Sequence, residues 1–119
     1  MYLQIGDPSE TPLPPDEVRI CAVHFQPYPD RRRVRMLIEL TPFQSPPDIA
    51  VVVRDAREEE VSSLSIIGAT EPTMSLTLHL RDPETEEPLL VDIRVSYEEA
   101  GLVDQLEEQL FLTEDGRHG

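Results

Sequence analysis

Apolar side chains recur at every second position along most of this chain from residue 16 onward, the period of a strand with one buried face. The sharpest case is Val34, Met36, Ile38 and Leu40, which alternate with Arg33, Arg35, Leu37 and Glu39. The same reading gives a strand in which Val18, Ile20 and Ala22 alternate with Arg19, Cys21 and Val23, ended by the turn Gln26-Pro27-Tyr28-Pro29-Asp30. Ile49 to Arg54 holds three valines in a row, which predicts a strand covered on both faces. The charged stretch Asp55 to Glu60 predicts a hairpin turn, and Val61 to Ile67 returns with Ser62, Ser63 and Ser65 at its polar positions. Met74, Leu76, Leu78 and Leu80 alternate next, followed after an acidic turn by Leu89, Val91, Ile93, Val95 and Tyr97.

The last segment carries two patterns. Leu102, Val103, Leu106 and Leu110 stand at helical spacing, and Leu, Glu and Gln favour helix. Leu106, Leu110 and Leu112 also share one face of a strand, with Glu108 as a misfit. A strand is the expectation, because residues 88–97 need a partner, and helix is the alternative for residues 102–112.

Seven candidate strands with proline-rich or acidic turns, and no strand–helix alternation, point to an all-β antiparallel sandwich. The expected layout is an extended proline-rich arm over residues 1–15, a sandwich domain over 16–113 and a flexible tail over 114–119. Pro8, Pro12, Pro14 and Pro15 argue against helix in the arm, where Tyr2, Leu3 and Ile5 are candidates for a short edge strand.

Over residues 16–113 the pattern resembles a seven-stranded immunoglobulin-like or fibronectin-type module of the bacterial kind. Ile49 to Ala56 followed by Val61 to Ile67 is similar to a hairpin common in such modules. The Cys…Trp…Cys hallmark is missing, since Cys21 is the one cysteine and there is no Trp. Tyr97 falls late in its strand and is not equated with a tyrosine corner. The resemblance implies an architecture and no activity.

Charge narrows the choice of partners. Ten Arg against 24 acids give a net charge of −14, with no Lys at all. Such a chain is repelled by nucleic acid and by anionic membrane surfaces, whose affinity comes from cationic side chains. No apolar run approaches a membrane span, and the first ten residues lack the features of a signal peptide, so the expected location is cytoplasmic.

Candidate chemistry is sparse. His24, His79 and His118 stand far from one another and from Cys21 in sequence, which is not zinc-ligand spacing. Cys21 is expected as a buried inert thiol, on the opposite strand face from His24. Neither a cofactor nor a catalytic residue is expected. Asp82, Glu84 and Glu86 alternate in an acidic turn and are candidate calcium ligands, although they lack the order of an EF-hand. Arg31, Arg32, Arg33 and Arg35 form the one basic cluster, able to hold carboxylates in bidentate fashion. The expected role is a non-enzymatic protein-interaction or structural module, binding a protein partner or a second copy as a homodimer. Segments 49–53 and 64–67 are candidates for a covered or self-pairing surface. The alternative is a calcium- or carbohydrate-binding accessory domain.

Overall fold

In the computed structural model, which describes residues 11–81 and 85–112, the alternating segments all become strands. They are β1 (Ile20–Pro27), β2 (Arg33–Leu40), β3 (Asp48–Arg54), β4 (Glu60–Ile66), β5 (Thr73–His79), β6 (Leu89–Tyr97) and β7 (Gly101–Leu110). Every pairing is antiparallel. One sheet has the order β1-β2-β5 and the other the order β4-β3-β6-β7. The two bury their inner faces against each other, so the protein is an all-β sandwich.

Alternation sets the core. Val34, Met36 and Ile38 from the middle of one sheet meet Ile49, Val51, Val53, Val91, Ile93 and Val95 from the middle of the other, all essentially without solvent exposure. The strands β3 and β6 are central in their sheet, which explains their density of β-branched residues. Ala50 and Val52, on the outer side of β3, are only half-buried. Segment 49–53 is therefore flanked by β4 and β6 and presents no free edge, which removes it as a self-pairing surface.

The turns follow from short-range chemistry. Asp55 to Glu58 closes with Glu58 N–H donating to the Asp55 carbonyl at 2.8 Å, and Glu58 sits at φ 67°. Tyr28 to Arg31 repeats the arrangement, with Arg31 at φ 60°. The β6–β7 turn ends on Gly101 at φ 78°, where a side chain would be strained.

Four expectations are corrected. In β1 the pairing shifts between Ile20 and Ala22, so that Ile20 faces Leu40 while Ala22 faces Glu39 and Val23 faces Ile38. This bulge moves the inward role from Ala22 to Val23 and Phe25. It also removes the parity argument that set Cys21 and His24 on opposite faces: both are exposed. Cys21 is thus an exposed thiol and not a buried one. The fourth correction is segment 49–53, described above. Of residues 102–112, those from 102 to 110 are strand and none is helix.

The N-terminal approach is pinned to the body. Leu13 forms a parallel bridge with Phe43, and Pro15–Glu17 is a single 3-10 turn that delivers Val18 into the core. Arg19 then ties β1 to β7: its Nη1 donates to the carbonyls of Val18, Asp16 and Val103 at 2.8, 3.1 and 3.3 Å. Asp104 completes the clasp, its Oδ2 accepting from Ile20 N–H at 2.8 Å.

Candidate interaction face

The outer face of the β1-β2-β5 sheet collects two of the four arginines of the basic cluster, Arg33 and Arg35. Register places Gln26, Arg35 and Thr77 in one row, His24, Leu37 and Ser75 in the next, and Arg33 beside His79. The hairpin that feeds β2 is organised by Asp30. Its carboxylate accepts from Arg32 N–H at 2.9 Å and from Arg33 Nε at 3.0 Å. The backbone bond from Arg32, with help from Arg33, holds the Asp30 carboxyl below its ordinary range. Arg33 also lies over the Tyr28 ring, 4.3 Å from its centre, a favourable cation–π distance.

The four arginines divide into two kinds. Arg31 pairs with Glu87 at 3.1 Å and Arg33 pairs with Asp30, so both are neutralised within the chain. Arg35 donates to the neutral Ser75 hydroxyl at 3.0 Å, and Arg32 is held through its backbone. Among the described residues neither guanidinium has a carboxylate partner. Arg35 borders a shallow cavity of ≈ 330 Å³ with His24, Phe25, Gln26 and Leu37. A second hollow of ≈ 240 Å³, lined by Gln26, Pro27, Tyr28, Pro29 and Arg35, continues it along the sheet edge.

Leu37 is the residue that a reading of charge clusters misses. It is 38% exposed in the middle strand of this face. The signal was present in the sequence: Leu37 is apolar at a position whose neighbours two residues away, Arg35 and Glu39, point to water.

The other candidates separate. His24 faces Leu37 and His79 faces Arg33, which puts the imidazoles two strands apart and four residues out of step, roughly 16 Å by strand geometry. Partial desolvation, then the charges of Glu39 and Asp104, push the Cys21 thiol up, which lowers its thiolate fraction. Asp82 and Glu84 lie outside the described residues. Glu86 is exposed, with its carbonyl accepting from Ala56 N–H. No group of three or more His, Cys, Asp or Glu suited to a metal ion occurs among the described residues, and none of their helices is long and apolar enough to cross a membrane.

No protein-family model matches the chain, and no curated protein matches it. Solved structures do share its fold. A β-glucuronidase from Ruminococcus gnavus superposes with a TM-score of 0.51 at 14% identity, over 80% of this chain and 16% of that one. A β-glucuronidase from Lactobacillus rhamnosus superposes with a TM-score of 0.51 at 10% identity, over 80% of this chain and 15% of that one. At such identity the likeness is one of fold. The chain spans about one-sixth of the length of these neighbours, so it resembles one small β domain within each.

Proposed function

We propose that the protein is a non-enzymatic interaction module of immunoglobulin-like or fibronectin-type architecture, which docks a protein partner on the outer face of its three-stranded sheet. The order β1-β2-β5 against β4-β3-β6-β7 supports that architecture. The likeness to one domain of larger hydrolases supports a modular role, without carrying their activity over. One observation carries the docking face: an exposed leucine, Leu37, set beside an arginine, Arg35, that has no carboxylate partner among the described residues, in a chain of net charge −14. Arg is enriched among the residues that carry interface binding energy, and an apolar neighbour such as Leu37 helps exclude water around it. The partner would present a carboxylate to Arg35 and an apolar side chain to Leu37.

A photoreactive residue placed at Gln26 tests this, compared with one at Gln109 on the outer face of the other sheet. Covalent adducts should form in cells from position 26, weaken as salt rises, and disappear with Arg35→Glu. Equal capture from both positions, or adducts indifferent to Arg35→Glu, would count against the reading.

A further inference from the structure

A two-layer sandwich has four strand edges, and this one protects them unequally. The free edge of β7 carries Asp104, Glu107 and Glu108, and charges are a common defence against unwanted strand pairing. The edge of β1 is interrupted by the bulge at Ile20/Ala22, has its Ile20 N–H taken by Asp104, and ends on Pro27, which lacks a donor. The other two edges, β4 and β5, have no such device along most of their length among the described residues. From Val61 to Ile67 and from Thr73 to Leu78 there is no ionisable side chain.

Between these two edges the sandwich is half-open. Leu64 and Ile66 on β4 and Met74 and Leu76 on β5 point to the core side but remain partly exposed. A hollow of ≈ 370 Å³ runs along this seam, lined in part by Ile66, Ala69, Met74 and Leu76. At its end Ile67 is 80% exposed, the most exposed of the large apolar side chains among the described residues. Arg81 N–H donates to the Val61 carbonyl at 2.9 Å, so the connection after β5 covers the beginning of the β4 edge. The open stretch is Ser63–Ile67.

We infer that Ser63–Ile67 pairs antiparallel with the same stretch of a second copy of this chain, joining the two four-stranded sheets across a twofold axis. Charge selects the place, and self-complementarity selects the occupant. Two chains of net charge −14 repel, and an uncharged edge is where they meet without adding a local clash of carboxylates. The stretch is also self-complementary. Centred on Ser65, it sets Leu64 opposite Ile66 on the core side and Ser63 opposite Ile67 on the outer side. Apolar side chains therefore face each other on the core side, and no like charges are opposed. The same step sets the two β5 edges side by side in the second layer and closes the two apolar seams on each other. A twofold interface of this kind is isologous and stops at the dimer.

Sedimentation velocity over a wide range of protein concentration, at low and at high salt, tests the pairing. A monomer–dimer equilibrium is expected. It should tighten as salt rises, because screening removes the long-range repulsion while the contact itself is uncharged. That sign is opposite to the one expected for partner docking on the arginine face, so the two proposals fail separately. Ser65→Lys, an exposed change on the open edge, should weaken the dimer at least tenfold with an unchanged circular dichroism spectrum. Arg35→Glu should leave it intact. The Ser63 and Ser65 amides should also gain protection from hydrogen exchange as concentration rises. A chain that stays monomeric at high salt, or a dimer indifferent to Ser65→Lys, overturns the inference.

Discussion

Asp55 has no exposed side-chain surface, yet burial alone does not decide its charge. Burial pushes its carboxyl up. The Arg57 side chain, at 2.7 and 3.0 Å, and the Glu59 and Arg57 backbone N–H groups outweigh that and hold it below its ordinary value of 3.8. A depressed native value means that the carboxylate adds stability above the ordinary range. That contribution fades as pH falls through the native value. Asp55→Asn should therefore lower the melting temperature at neutral pH, and the gap to the unmodified protein should close below about pH 4; a gap constant with pH would contradict this account. Three residues along, Glu58 occupies the left-handed region at φ 67°, where a β-carbon is strained. Glu58→Gly should raise stability by about 0.5–1 kcal/mol, the strain relieved less the extra freedom of the unfolded chain. Urea unfolding midpoints measure it.

At the scale of the element, β2 and β6 were legible because their alternation is unbroken and their inner faces are wholly covered. Ile93 sits at the middle of β6, between β3 and β7, with no exposure. Ile93→Ala should cost about 2–5 kcal/mol in denaturant unfolding, the range for a core truncation that leaves a cavity. The bulge in β1 was not legible. One inserted residue leaves no mark in composition, since Cys, Ala and Val all tolerate either face. The strand character of β7 was only half legible for a different reason. It is an edge strand, and much of its length is exposed, so its Leu, Glu and Gln were not constrained to a period of two. Glu108, the misfit in its inner row, faces Val91 across the ladder and remains exposed at the margin of the sandwich. Asp92 escaped notice in the opposite sense. It belongs to the outer row of β6, yet it is buried under Arg94 and Gln105, which donate to it at 3.0 and 2.8 Å. Pairing by side chains from one strand and its neighbour is a tertiary fact that a local pattern does not carry.

Over the whole molecule, two kinds of surface compete for the role of contact. The arginine face was partly visible in the sequence as a basic cluster, but which arginines are already neutralised depended on Asp30 and on Glu87, 56 residues away from Arg31. The bare β4 edge was visible as an uncharged segment, while the central position of β3, which disqualifies its equally apolar valines, required the sheet order. The first and last strands, by contrast, are joined by side chains on the side of the sandwich opposite the β4–β5 seam: the Asp104 carboxylate on Ile20 and the Arg19 guanidinium on Val103. Should the module transmit tension between flanking neighbours, load meets the Leu13–Phe43 bridge at one end and the β6–β7 ladder at the other, and these two bonds then carry what passes between β1 and β7, with no backbone ladder between those strands among the described residues. Asp104→Ala should accordingly lower the rupture force in single-molecule pulling. An unchanged force would mean that the weakest joint under strain lies elsewhere.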